Sequence, residues 1–174
     1  LFAAHKSLIN SACGPVMNAP RKAAMEAFTS LGFPTNRQEA YRDCDLSPAL
    51  EKDYGMNLHR LSIPVDPNQV FSCDVPNLST HLYFILNDQF YAGNTVNRLP
   101  EGVLCGSLNS LSQSHEALLA PYYNMLAAPS KDGLAAFNTA FAQDGFVLYV
   151  PEGVVLEKPI QVINILRAPE DMLV

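Results

Sequence analysis

The chain has 174 residues, 48% of them hydrophobic and 16% charged, with a formal net charge of −6 at neutral pH. That is the composition of one globular domain, or of one domain and part of another, and it excludes a disordered chain. Only 11 basic residues occur, with no cluster beyond Arg21-Lys22, and no apolar run approaches the roughly 20 residues of a membrane-spanning helix, which argues against nucleic-acid binding and a spanning helix.

Taken in chain order, Leu1, Ala4, Leu8, Ile9 and Ala12 are spaced as the apolar side of a first helix ending near Gly14-Pro15. This start does not place a charged run before an apolar block, so no secretory leader is read there. Asn18 and Pro20 open a second helix whose inward stripe is Ala24, Ala27, Phe28 and Leu31, and Gly32 can take the left-handed position beyond its end. Thr35 and Gln38 have capping-box spacing, so a short helix is predicted from Arg37. Ser47 is placed to cap, and Pro48 to start, another that reaches Tyr54-Gly55.

From Leu61 to Pro76 the chain is rich in Pro, Asp and Asn and reads as a connector with one short strand near Val70–Cys73. Thr80–Leu86 and Gln89–Thr95 flank Asn87-Asp88 as the arms of a hairpin. Gly102–Leu108 reads as a further strand. Ser112 or Ser114 is placed to cap a helix across Glu116–Met125 that breaks near Pro121. Neither an internal repeat nor a low-complexity tract is seen.

The period changes between Asp132 and Ile160. Asp132 can cap a helix with Leu134, Phe137 and Phe141 along its inward side, and Gly145 is placed to end it. Short β-rich runs follow at Phe146–Val150, Val154–Leu156 and Ile160–Leu166, separated by Pro151-Glu152-Gly153 and Glu157-Lys158-Pro159. Strands this short, joined by single tight corners, read as successive sides of a winding sheet. Ile160–Leu166 reads as buried, and one coil of such a sheet cannot bury its own apolar side. A further coil, a neighbouring chain or self-association would have to cover its edge.

Chemistry is sparsely signalled. Cys13, Cys44, Cys73 and Cys105 show no metal-loop spacing, and His5, His59, His81 and His115 are isolated. Four separate thiols in a reducing cytoplasm is the simplest reading, with a disulfide or a shared metal site as its alternative, while a thiol enzyme using Cys44 or Cys105 with a distant histidine stays open. Gly102–Ser107 lacks the lysine and spacing of a phosphate loop. Glu39, Tyr41 and Arg42 form either a recognition patch or a packing feature in which the aromatic anchors one helix on the next and Glu39 and Arg42 make a weak surface pair. Asn77-Leu78-Ser79 has the glycosylation pattern without a secretion signal beside it. Ser114-His115-Glu116, three adjacent residues on a helix, point in different directions and cannot form a relay.

Most of the chain, in order and at varied strength, resembles the SufB/SufD family of iron–sulfur cluster assembly scaffolds, and two segments carry the resemblance most specifically. The family's "LNxAF" helix end, "xDG" corner and "VxVPxGVVxEKPI" run stand here as Ala136-Phe137-Asn138-Thr139-Ala140-Phe141, Asp144-Gly145, and Leu148 through Val150-Pro151-Glu152-Gly153 to Lys158-Pro159-Ile160. The "GxPTxxxExWKYT" signature of the SufD branch stands as Gly32, Pro34, Thr35, Glu39, Tyr41 and Arg42. Tyr41 replaces Trp, Arg42 replaces Lys, and Asp43-Cys44 replaces Tyr-Thr.

The resemblance implies an α+β fold in which N-terminal helices and a small hairpin region lead into the first rung of a right-handed parallel β-helix that otherwise lies beyond this chain. The segments would be 1–60 helical, 61–144 α+β, and 145–174 the start of the β-helical core. It implies a scaffold subunit that pairs with a SufB-like protein and a SufC-like ABC ATPase in the cytoplasm. ATP hydrolysis would lie in the partner, and a transient iron–sulfur cluster would be the cargo of the full complex. A general interaction module unrelated to clusters is the rival. The signature positions implied to be structural or partner-facing are Pro34, Thr35, Glu39, Tyr41, Arg42, Asn138, Gly145, Pro151, Gly153 and Pro159, with no catalytic or metal residue among them.

Overall fold

The computed structural model describes residues 1–52, 54–60, 66–67, 79–93, 98–167 and the backbone of 172–173. The strand expected near Val70–Cys73, the thiol of Cys73, the glycosylation pattern at Asn77-Leu78 and the far arm of the hairpin at 94–95 lie outside the described residues.

Three helices open the chain: α1 (Phe2–Ser11), α2 (Pro15–Asn18) and α3 (Arg21–Leu31). Pro15 stands at the start of α2, where its missing N–H leaves no helical bond unmade. Gly32 ends α3 with φ +66, and its N–H bonds to the Phe28 carbonyl at 2.8 Å. Along α3 the predicted Ala24 is buried and Ala27 and Phe28 are half-buried, Arg21 extends the inward side toward the helix start, and Leu31 at its end is 41% exposed. A 3₁₀ turn (Glu39–Tyr41) stands where a helix from Arg37 was predicted. Thr35 and Gln38 meet through backbone, the Gln38 N–H bonding the Thr35 carbonyl at 3.0 Å, with no side-chain cap. In α4 (Ser47–Leu50), Ser47 lies inside the helix, not before it, and the Asp45 carboxylate accepts from the Ser47 N–H.

The predicted hairpin corner forms, but its second arm, expected over Gln89–Thr95, is strand only at Gln89–Phe90 among the described residues. β2 (His81–Leu86) turns through Asn87 and Asp88, both at positive φ (46° and 60°), into β3 (Gln89–Phe90). This left-handed pair matches the right-handed strand twist, which is why Asn-Asp suits the corner. β4 (Leu104–Ser107) follows, and the Ser107 hydroxyl accepts from the Ser110 N–H to cap α5 (Leu108–Ser114). The cap is therefore Ser107; Ser112 and Ser114 lie within α5. A separate short helix, α6 (Glu116–Leu119), stops before Pro121.

Asp132 caps α7 (Gly133–Phe141) as predicted, accepting from the Ala135 N–H at 2.8 Å. The buried side of α7 is Gly133, Ala136, Thr139, Ala140 and Phe141; Leu134 is 38% exposed, so the stripe predicted through Leu134 is rotated. Small residues face inward because α3 lies very close. A side chain on Gly133 would collide with the Gly32 carbonyl, so the two glycines let the end of α3 meet the start of α7. Phe28, Phe33, Phe137 and Phe141 chain together at centroid spacings of 4.8–5.2 Å, and Phe2 meets Phe141 edge-on. Ile9, Ala24, Leu58, Ala140 and Phe141 form the buried core beside them.

Gly145 does not end α7. The helix closes at Ala142, and Gly145 sits beside Leu108 just before β5 (Phe146–Tyr149). Val154–Leu156 is not a strand; it follows a turn in which the Val154 N–H bonds the Pro151 carbonyl and Gly153 adopts φ +77. Then comes β6 (Ile160–Ile165), and at 172–173 β7 (Met172–Leu173).

Among the described residues the strands form three small sheets. β1 (Gly55–Met56) pairs parallel with β7, β4 pairs antiparallel with β5, and the third sheet has the order β3-β2-β6. β2 and β6 run parallel in unbroken register from His81↔Ile160 to Leu86↔Ile165. One edge of Ile160–Ile165 is thus covered by the chain's own hairpin, while among the described residues β6 is the last strand of its sheet and its other edge is unpaired. The strand is also only half-buried, with Val162 38% exposed, because its side chains alternate between the molecule and solvent. The three strands after α7 pair with three different upstream strands and not with one another.

Candidate functional site

The signature positions fall into three places. The first lies at the start of α7. Pro34 is buried and Thr35 exposed, and the Tyr41 hydroxyl donates to Asp132 Oδ2 at 2.7 Å. Asp132 thus holds the 3₁₀ turn with one oxygen and caps α7 with the other. Its carboxyl is held below the ordinary range, first by the Ala135 N–H and then by the Tyr41 hydroxyl, and the same bond pushes the Tyr41 phenol up. Glu39 and Arg42 meet at 3.0 Å on the exposed side, with Asp43 3.6 Å from the same guanidinium. Of the two readings of this trio, packing is the one that matches the geometry of Tyr41.

The second place is the junction after α7. Asp144 Oδ1 accepts from the Ser107 hydroxyl and the Asn109 N–H, and Oδ2 accepts from the Phe90 N–H. One carboxylate therefore ties β3, β4 and α5 to the stretch entering β5. The neighbouring Gln143 is buried and donates to the Leu58 carbonyl, while the Cys13 thiol donates to the Gln143 carbonyl. Around this junction lies a cavity of 420 Å³ that Asn138 and Gly145 both line. The third place comprises the corners. Gly102 packs toward Pro151, Gly153 makes the turn, and the Pro159 carbonyl accepts from the His81 N–H at 2.9 Å where the β2–β6 register begins. The structure does not bring the three places into one site.

Several residues at these places escape sequence reasoning. Arg21, 1% exposed, donates to Asn18 Oδ1 and to the Ala140 carbonyl, joining the start of α3 to the end of α7. Beside Lys22 on a helix start it reads as surface charge, so nothing local betrays it. Asn87 is read as a turn residue, but its side chain also grips the Arg167 backbone through both N–H and carbonyl. Ser114 and His115, predicted to point apart, touch at 2.9 Å between Oγ and Nδ1 on the exposed surface.

Burial pushes the thiols of Cys13 and Cys105 above their ordinary value, whereas Cys44 is exposed. Among the described residues no three of His, Cys, Asp and Glu gather as metal ligands would, and no helix is long and apolar enough to cross a membrane.

The geometry defines an α+β module whose motif residues serve as joints between helices and strands. The chain belongs to the SufB/SufD family, matching the SufBD protein N-terminal region over residues 1–162. That membership carries a role in iron–sulfur cluster assembly and in the protein assemblies that perform it. A search of curated proteins returns no match.

Proposed function

We propose that the chain is the N-terminal part of a SufD-like scaffold subunit. It pairs with a SufB-like protein and a SufC-like ABC ATPase, in the cytoplasm, to assemble iron–sulfur clusters and pass them on. In this reading ATP hydrolysis belongs to the ATPase partner, and iron and sulfur are cargo. The winding strands after α7 continue as a right-handed parallel β-helix. The observation that carries the proposal is the family match over residues 1–162. Support for the SufD branch comes from the 32–42 signature, whose aromatic is docked on the cap of α7.

The test is copurification of the full-length protein, tagged, from its own cells. SufB-like and SufC-like proteins should come with it in fixed ratio, and a SufB-like chain should disappear from the eluate when the β-helical region is deleted. Recovery of neither partner would leave the rival reading, an interaction module unrelated to clusters.

A further inference from the structure

The cavity beside Asp144 lies between α7, the turn at 57–60, the hairpin corner and β6. Its inner wall is apolar, formed by Met56, Leu58, Ile85, Phe137 and Phe141. Its polar groups divide by their hydrogen bonds. Asn87 is engaged with the Arg167 backbone, Gln143 with Leu58, and Asp144 with three donors. These hold the fold.

Three other side chains are not so committed. Asn138 and Asn164 are exposed and make no side-chain hydrogen bond among the described residues. Arg60 is half-buried, and among the described residues its side chain hydrogen-bonds through Nη1, which donates to the Asp88 carbonyl at 3.1 Å. No carboxylate lies within ion-pair distance of it among the described residues. A guanidinium on an apolar wall without a paired carboxylate keeps a planar set of donors suited to two acceptor oxygens. Carboxamides beside it add a donor and an acceptor each, which match an amide.

We propose that this cavity is a binding site for a small monocarboxylate with an apolar body and an adjacent amide. The carboxylate pairs with Arg60, the amide with Asn138 or Asn164, and the apolar group lies against Phe137 and Phe141. Asp88 and Asp144 also line the cavity. Three neutral donors solvate the Asp144 carboxylate without cancelling its charge, so Asp88 and Asp144 together restrict the ligand to a single negative charge seated at Arg60. A free acylated amino acid and the C-terminal residue of a peptide share this chemistry. The site goes beyond the scaffold reading and does not depend on it.

N-acetyl-phenylalanine, its C-terminal amide and a tripeptide ending in phenylalanine would be titrated into the ¹⁵N-labelled protein. Saturable shifts are expected at Asn138, Gly145 and Asn164 with the acid. The amide should bind about tenfold more weakly, the loss of one charge-assisted contact. Tighter binding of the tripeptide than of the acylated amino acid would identify a peptide end as the source; equal or weaker binding would identify a free acid. Arg60→Gln should weaken the acid about tenfold and leave the amide unchanged. N138A/N164A, at exposed positions, should weaken acid and amide alike with an unchanged melting temperature. Equal affinity of acid and amide, shifts confined to other surfaces, or no saturation by about 10 mM acid would overturn the proposal.

Discussion

A tyrosine hydroxyl and a carboxylate illustrate how little of a surface motif is energetically active. The Tyr41–Asp132 bond is 2.7 Å long and shares its carboxylate with a helix cap, whereas the Glu39–Arg42 pair is solvated on both sides. Tyr41→Phe should lose about 1 kcal/mol, which lowers the melting temperature by about 2–4 °C in a chain of this size. Glu39→Ala should move it by less than about 1 °C, as solvated pairs contribute little. A larger loss from Glu39→Ala would mean that the exposed pair, not the aromatic, orders the turn. Because the Asp132 carboxyl titrates below its ordinary value, the stability it adds is complete above that value and lost as pH falls through the depressed one. The melting gap between the native chain and Asp132→Asn should therefore be full near pH 6 and narrow toward about pH 3. A gap that widens on acidification would contradict the assignment.

Between elements, the fold depends on two close fits. The Gly32–Gly133 approach leaves no room for a methyl group, so Gly133→Ala must push α3 from α7. A loss of about 2 kcal/mol or more is expected, read in urea melts as a lower midpoint with an unchanged slope. An unaltered midpoint would show that the helices separate freely. Asn87 serves both the hairpin corner and the Arg167 backbone. Asn87→Ala removes two bonds and places alanine at positive φ, at a cost of about 2 kcal/mol. Amide exchange should then rise together over His81–Leu86 and Ile160–Ile165, since those strands share one register. Acceleration in only one of them would break that coupling.

At the scale of the whole molecule, legibility followed locality. The α7 cap at Asp132, the Asn87-Asp88 corner and the helix break before Pro121 were readable, because each is fixed by neighbours within a few residues. The inward side of α7 was not. Leu134 is the larger apolar residue, but Gly133, Ala136 and Ala140 face inward because Gly32, a hundred residues earlier, demands small neighbours. Arg21 was hidden for the same reason, its acceptor being the Ala140 carbonyl. The motif residues were legible as a family signature, whereas the division into three separate joints needed coordinates. The thiols give a molecule-wide check. Cys44 should react with iodoacetamide well before Cys13 and Cys105, whose burial suppresses the thiolate. Faster labelling of Cys105 would revive a nucleophilic role for it.

The parallel register between His81–Leu86 and Ile160–Ile165 has a consequence for biosynthesis. At a translation rate of about 5–20 residues per second, the hairpin leaves the ribosome about 4–16 s before its partner strand. Through that interval β2 has only β3 beside it, and an open edge invites pairing with other nascent chains. The chain is thus most vulnerable while still being made, and a holding chaperone would act on it then.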